Sequence, residues 1–589
     1  MTTPLRLSRA AELIVGCLVG LAVCGALALA AGAAAATSPG SGSEDAAAGA
    51  AQARARAPAK RRVFLLGLRQ RGRPGRFASR VSNPSSPRYR QFLSLREYRS
   101  RFSARRAARR RVRRYLAAQR GVGRIEFSSD RSLVLAVLTP RAGRRLFCAA
   151  GAQAPTRALC TPPRLRGTVR LLSAGEVYEV GGNSRQGAHA ANAQGCAGAV
   201  ATRAFTPGQL STAYGVDELH SRGLDGSGVR VATLSSQEVD ATGFRTWAQC
   251  FGLRTPAVRQ FAMPSAGRDT GTAPEETVLD VEALASLAPG LQRITPIFVP
   301  LDQSFSHSFL LFMFGALDPA RQGGRLPQIL SISDGVCESR FTADQLKIGR
   351  RLLIEAAALG ITALAASGDL GFQGCFVSTP GALFPSSSPW TTSVGGTSLT
   401  LTAANRIADQ VVWSTFASDP EQGVGTGGGP SKVWRRPSFQ RAPGIGPELQ
   451  SGSPTRLAPD VAAMASFTPG LATFEKGGGG WGIGGGTSAA TPLTAAIVAL
   501  VLQQERAAGR ARLGSLPPLL YEFARGPGYS SIFFDITKGT SSRQPGSAGG
   551  QTPAGGAAQP GYDLATGLGS LNATAFADAV ASLGAAGTP

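Results

Sequence analysis

Residues 485–492 read Gly-Gly-Thr-Ser-Ala-Ala-Thr-Pro. Two glycines lead into Ser488, and an apolar run from Leu493 to Leu502 follows, the pattern of a turn opening a buried helix. A hydroxyl set there stands at a helix N-terminus, where backbone N–H groups can help to hold an oxyanion. The plainer reading is an N-cap serine after a flexible turn. A serine nucleophile needs a base, ordinarily His. The chain has three, His189, His220 and His307. His189 lies in a Gly/Ala/Asn/Gln-rich stretch and His220 precedes Ser221-Arg222, settings of surface or local hydrogen bonding. The base is therefore expected to be a carboxylate.

A carboxylate pair is available. In Ala273-Pro274-Glu275-Glu276-Thr277-Val278-Leu279-Asp280, Pro274 can open a helix. Glu276 and Asp280 then stand i,i+4 on one face, within mutual reach. Two buried carboxylates cannot easily both ionise, so the pair would share a proton, as suits a base working in acid. The alternative is a solvated acidic helix face. A third carboxylate, Asp369 in Ala365-Ala366-Ser367-Gly368-Asp369-Leu370-Gly371, follows a short apolar strand. Protonated, it can donate to an oxyanion. Otherwise it is a turn or cap residue.

These residues need a frame. Strand-like runs occur at Val229–Leu234, Ile294–Val299, Ile329–Ser333 and Ile361–Ala366, with helical stretches such as Ala343–Leu359 between them. Alternating strands and helices imply an α/β fold with a doubly wound parallel sheet, whose sites form at the carboxyl ends of the strands. Upstream, Val63–Leu66 and Leu133–Leu138 read as strands and Arg105–Arg120 as a very basic helix.

The chain has 589 residues, with 62 Lys+Arg against 36 Asp+Glu and a formal net charge of +26. Residues 51–190 hold 33 of the basic and 5 of the acidic residues, a net of +28, so one segment carries the whole excess. A split this sharp means two functional units. Arg6 and Arg9, the apolar run Leu13–Ala31 and Ala34-Ala35-Ala36 read as a secretory signal, with an uncleaved anchor as the alternative. No later stretch is expected to be apolar for long enough to span a membrane. Beyond the signal six cysteines remain, as in an exported protein with disulfides. Sequence does not choose among their pairings; Cys148–Cys160, Cys196–Cys250 and Cys337–Cys375 are the expected ones.

Taken together and in order, these segments resemble one family, the sedolisins (serine-carboxyl peptidases, including kumamolisin-like and tripeptidyl-peptidase-like enzymes). Glu276-Thr-Val-Leu-Asp280 resembles the family's Glu-x-x-x-Asp helix, Ala366–Asp369 its oxyanion segment and Gly485–Pro492 its nucleophile segment. Phe384–Trp390, Val394–Thr397, Gly427–Ser431 and Pro459-Asp460 are similar to its framework motifs. The His-Gly-Thr context of subtilisin-like His triads is missing. The resemblance implies Ser488 as nucleophile, Glu276 as general base and acid, Asp280 as its partner and Asp369 as oxyanion stabiliser. Phe534-Asp535-Ile536-Thr537 and Gly561-Tyr562-Asp563 resemble its site for one structural Ca2+, which implies Asp535, Asp563 and the carbonyls of Ile536 and Gly561 as ligands. Val63–Leu66, Val81–Pro87, Tyr89 and Tyr98 resemble its propeptide, which folds as an α/β (ferredoxin-like) prodomain. The doubled acid Glu275-Glu276, Gly485, Pro430 and Gln559 depart from the family's usual residues.

The implied organisation is a signal peptide at 1–36, a linker at 37–60, a basic propeptide domain at 61–180, a linker with the processing site at 181–204, and a subtilisin-like catalytic domain at 205–589. The implied protein is a secreted, monomeric, self-processing endopeptidase acting on proteins or peptides in acid. Its own propeptide is its inhibitor, and neither nucleic acid nor, after signal cleavage, the membrane is a partner. The basic propeptide is expected to complement an acidic cleft around Glu276, Asp280 and Asp369. The rival readings are an inactive relative kept as a binding domain and a binder of nucleic acid or anionic surfaces through the basic segment.

Overall fold

The computed structural model describes residues 61–149, 159–177, 196–235, 239–263, 275–299, 305–372, 374–375, 381–419, 423–441, 445–446, 449, 452–475, 480–510, 512–542 and 555–585. All of them fall within one compact unit, Pro58–Pro589. The expected signal and first linker, and His189, lie outside the described residues.

The basic segment folds as β1 (Arg61–Leu68), α1 (Pro74–Ser82), α2 (Leu95–Phe102), α3 (Arg106–Ala117), β2 (Val122–Phe127), β3 (Leu133–Leu138), α4 (Pro140–Phe147) and β4 (Val169–Val177). The strands form an antiparallel sheet in the order β2-β3-β1-β4, the ferredoxin-like arrangement. Successive side chains of a strand face opposite ways, and β1 uses both faces. Phe64 and Leu66 join Val112, Leu116, Leu146 and Phe147 in the domain's own core. Val63 and Leu65 instead enter a core shared with the second part of the chain. In α3 only Val112 and Leu116, one turn apart, are buried, and the arginines around them face water or the domain edge.

The second part is built on a ten-stranded sheet. Its elements are β5 (Arg230–Ser235), β6 (Phe261–Ala262), α5 (Glu275–Leu287), β7 (Arg293–Phe298), α6 (Phe305–Ala316), β8 (Ile329–Ile332), α7 (Ala343–Ala358), β9 (Thr362–Ala366), β10 (Thr392–Leu401), β11 (Ile407–Val412), β12 (Val461–Met464), α8 (Gly486–Ala507), β13 (Phe533–Phe534) and β14 (Ser570–Leu571). The order is β13-β14-β12-β10-β9-β8-β5-β7-β6, with β11 added antiparallel to β10. The pairings from β12 to β6 are parallel. The α/β doubly wound architecture is as expected. The apolar strands Val231–Leu234, Ile329–Ile332 and Leu364–Ala366 are buried, as central parallel strands must be.

Helix α8 is long and apolar enough to cross a membrane, which corrects the expectation that no later stretch is. Its apolar window is 89% buried inside the protein, so it is a core helix. The three disulfides pair Cys148 with Cys160, Cys196 with Cys250 and Cys337 with Cys375, as expected. Residues from Cys196 onward already belong to the second part. Ala197–Ala201 is helical, and Phe205 exchanges backbone hydrogen bonds with Gly470 and Ala472 at 2.6 and 3.0 Å.

The two parts meet mainly on α6 and α7. Arg351 donates to the Leu68 carbonyl at 2.8 Å, and Asp344 accepts from the Leu172 N–H at 3.0 Å. Ser129 donates to Glu355 at 3.3 Å, and the Ser173 hydroxyl meets His307 Nδ1 at 2.9 Å. Two ion pairs cross the contact, Arg90–Glu505 at 2.5 Å and Arg321–Glu126 at 2.6 Å. Among the described residues the basic segment thus docks on α6, α7 and the end of α8. It was expected to grip the acidic residues of the cleft, and these contacts do not involve Glu276, Asp280 or Asp369.

Candidate active site

Strands β5, β8 and β9 are neighbours, and residues at their carboxyl ends converge. Thr233 lies on β5, Ser333 follows β8 and Asp369 follows β9. Helices α5 and α8 pack together over this edge. The solvated-face reading of α5 fails: Thr277, Asp280, Glu282 and Ser286 are as buried as Val281 and Leu284.

Asp280 is fully buried and held at both oxygens. Thr233 donates to Oδ2 and Ser333 to Oδ1. Burial pushes its pKa up to about 8, against the pull of these two hydrogen bonds and with the help of Asp334. Glu276, one turn earlier, has a buried Oε1 with no hydrogen-bond partner. Burial drives its carboxyl well above the usual range, Asp334 and Asp280 add to the rise, and the neighbouring Ser488 hydroxyl opposes it.

Ser488 sits in the first turn of α8. Its Oγ donates to the Ser333 carbonyl at 3.2 Å, while the Ser333 hydroxyl lies 3.3 Å from the Ser488 carbonyl. That carbonyl is free because Pro492, four residues on, has no N–H to give it. The turn before it requires glycine at Gly486, where φ is +75° and a Cβ would lie 2.5 Å from Asp369 Oδ2.

Asp369 is fixed by the same turn. The N–H and hydroxyl of Thr487 donate to Oδ1 at 2.9 and 2.7 Å, and the Thr487 hydroxyl accepts from the Gly368 N–H at 3.1 Å. Oδ2 faces Gly486. Burial raises the carboxyl's pKa and the Thr487 hydrogen bonds work against the rise.

The geometry therefore brings together Glu276, Asp280, Asp369 and Ser488, all four of the expected residues. Neither described histidine takes part: His220 Nε2 meets the Leu287 carbonyl at 2.9 Å, and His307 lies under the basic domain. Sequence reasoning missed Thr233, Ser333, Thr487 and Asp334. Asp334 follows a strand as Asp369 does, so the same positional argument would have found it.

The expected metal-ligand residues also share one region. Asp535 follows β13, and its Oδ2 accepts from the Gly561 N–H at 2.9 Å. Asp563 is buried and takes N–H bonds from Ala565 and Thr566 at 2.8 and 2.7 Å. Among the described residues no cluster of three or more His, Cys, Asp or Glu forms a metal site, so a cation here would rely on carbonyls as well. Asp563 is a buried carboxylate with no cationic side chain among the groups that act on it, and Asp535 is joined to the same 559–567 segment through the Gly561 N–H, a setting that fits a hard cation.

Residues 50–150 match the family described as Pro-kumamolisin, activation domain. The chain is 33% identical over 384 residues to kumamolisin of Bacillus sp. (strain MN-32), a match covering 63% of this chain and 62% of that protein. It is 32% identical over 238 residues to human tripeptidyl-peptidase 1, with 36% of each covered. It is 31% identical over 305 residues to tripeptidyl-peptidase sed1 of Aspergillus fumigatus, covering 44% of this chain and 41% of that one. The matches thus span less than two thirds of these relatives' lengths. In fold, the chain superposes on Pseudomonas sedolisin (serine-carboxyl proteinase) complexed with two molecules of pseudo-iodotyrostatin. The TM-score is 0.54 at 24% identity, over 64% of this chain and 98% of that one. These likenesses relate the chain to the sedolisins, with a pro-kumamolisin activation domain ahead of a sedolisin fold.

Proposed function

We propose that the chain is a secreted, self-processing serine-carboxyl endopeptidase that hydrolyses protein or peptide substrates in acid. The observation that carries this reading is the arrangement around Ser488, whose Oγ donates to the carbonyl of Ser333, the residue whose hydroxyl donates to Asp280, with the buried Oε1 of Glu276 one helical turn before Asp280. The Ser488 hydroxyl leaves the Ser333 carbonyl, gives its proton to Glu276 and attacks the substrate carbonyl. Asp280 shares a proton with Glu276 and, fixed by Thr233 and Ser333, holds it in place. Asp369, protonated, donates from Oδ2 to the oxyanion, since Oδ1 is already saturated by Thr487. Glu276 then protonates the leaving amine, and water hydrolyses the acyl-enzyme by the same steps in reverse.

Residues 1–36 are read as a signal peptide and 61–180 as the propeptide. Cys196 is tied to Cys250, so processing that frees the propeptide falls within residues 178–195, which lie outside the described residues. One Ca2+ would be held by Asp535, Asp563 and the carbonyls of Ile536 and Gly561. Bound there, it would neutralise two carboxylates and tie the loop after β13 to residues 559–567. The test is acidification of wild type beside Ser488→Ala: wild type should lose roughly 150–200 N-terminal residues, about one domain's length, while the variant stays whole. Identical processing of both would overturn self-processing.

A further inference from the structure

Strands β5 and β7 both begin with an arginine. Arg230 and Arg293 open them and stand opposite each other in register. The strands are parallel, so both residues lie at the amino end of the sheet, away from the carboxyl ends where Thr233, Ser333 and Asp369 gather. Arg259 arrives on the other side of β7, its N–H donating to the Ile294 carbonyl at 3.0 Å, and the loop between α6 and β8 brings Gly323 and Arg325. Arg230, Gln292, Arg293, Gly323 and Arg325 line a cleft of about 370 Å³. Two guanidiniums converge at its wall: a Cβ on Gly323 would lie 2.7 Å from Arg259 Nη1 and 2.9 Å from Arg293 Nη1.

Cations drawn this close ordinarily share a carboxylate. Here the nearby acids are engaged elsewhere: Glu126 and Asp318 both pair with Arg321, at 2.6 and 3.3 Å. The charged groups acting on Arg230 and Arg293 are all arginines, and burial with these neighbours pushes Arg230 down to about 10. The cluster is nonetheless held in place. Arg230 donates to the Leu326 carbonyl from Nε and Nη2 at 3.2 and 3.1 Å and to Gln292 at 2.8 Å, and Arg293 donates to the Gln322 carbonyl. Donors are left over beside it: Arg293 Nε is buried without a partner, and so are both polar atoms of the Gln322 side chain. We propose that this cleft is a binding site for a phosphate or sulfate group, held by Arg230, Arg259, Arg293 and Arg325. A tetrahedral oxyanion carries enough charge and enough acceptor oxygens to answer several guanidinium forks at once, which one carboxylate does not. Bound there, it would relieve the repulsion and tie the loop between α6 and β8 to the start of β5 and β7. The site is separate from Ser488 and does not depend on the peptidase reading.

The test is isothermal titration calorimetry of inorganic phosphate, with sodium sulfate and sodium chloride in parallel at constant ionic strength. The protein is the full chain carrying Ser488→Ala, so that self-processing does not intervene. Phosphate and sulfate should bind saturably, one per chain, and chloride should not. Arg259 and Arg325 are exposed, so Arg259→Gln and Arg325→Gln should fold as the parent does. Each should weaken phosphate binding about tenfold, the worth of one hydrogen bond to a charged group. Gly323→Ala keeps every charge but places a methyl where two guanidiniums meet, and should weaken binding as well. O-phosphoserine distinguishes the sources of the group. Its binding beside phosphate supports a site that accepts the group on a larger molecule; binding of phosphate without it supports a site for the free ion. Phosphate heats no different from those of chloride, or phosphate affinity unchanged in both arginine variants, would overturn the proposal.

Discussion

Ser488 leans on Ser333: its Oγ donates to the Ser333 carbonyl at 3.2 Å, while the Ser333 hydroxyl donates to Asp280. One residue thus couples the Ser488 hydroxyl of α8 to the buried carboxyl of α5. Removing the hydroxyl leaves Asp280 with a single side-chain donor. Ser333→Ala should lower kcat/KM about ten- to a hundredfold, the worth of one hydrogen bond to a charged or proton-sharing group. Steady-state kinetics beside a thermal melt check this, because the loss should exceed any change in the folded fraction.

Thr487 opposes the rise in the Asp369 pKa by donating twice to Oδ1. Thr487→Val removes one of those donors, so Asp369 should hold its proton to higher pH. The alkaline limb of kcat/KM should move upward. Asp369→Ala removes the proposed oxyanion donor and should lower kcat about 10²–10³-fold.

Gly486 combines a φ of +75° with a Cβ position 2.5 Å from Asp369. Gly486→Ala should cost about 1–2 kcal/mol in backbone strain and push Asp369 aside. Denaturant unfolding reads the first effect. The second appears as a loss of kcat larger than for an alanine placed elsewhere in α8.

His307 makes the docking of the basic domain sensitive to pH. It is buried against Ser173 of β4, its Nε2 has no partner, and burial lowers its pKa from the usual 6.5 to about 4. The docked state therefore binds fewer protons than the undocked one, and docking weakens as pH falls from about 6.5 toward 4. Glu355, facing Ser129, Asp130 and Arg99, has the opposite sign: burial raises its pKa, so its contribution is present in acid and lost as pH rises. In a Ser488→Ala background, where no self-processing intervenes, His307→Gln should shift the acid-induced opening of β4 to lower pH. Amide hydrogen exchange of residues 169–177 measures it.

The Ca2+ reading predicts that a chelator lowers the melting temperature of the wild type and that added Ca2+ restores it. About 2.7 kcal/mol of stabilisation is expected at a hundredfold excess over Kd. Asp563→Ala should melt lower and not respond to either. Differential scanning fluorimetry decides it.

Much of this protein is legible in its sequence because the relevant signals are local. The β5, β7, β8 and β9 strands are short apolar runs, and Gly485–Pro492 concentrates a turn, a hydroxyl and a helix start in eight residues. Glu276 and Asp280 are readable from their spacing. What could not be read is what packs around them. Helix α5 is buried on nearly every side, so its acids, which look like a polar face, are core residues. Thr233 and Ser333 read as ordinary strand residues, and only the sheet order brings them to Asp280. The basic segment's charge invited a partner in the acidic cleft. Its docking instead uses alternate residues of β1 and a few polar contacts on α6 and α7, which charge counting cannot locate.

The central claim is that Ser488 attacks with Glu276 as its base. The most direct measurement is mass spectrometry of the acid-processed protein, quenched after brief reaction with an activated acyl ester at acid pH. The account predicts one added acyl group, mapped to the peptide that carries Ser488, absent in Ser488→Ala and formed far more slowly in Glu276→Gln. An adduct on another residue, or acylation of Ser488 at an unchanged rate in Glu276→Gln, would contradict it.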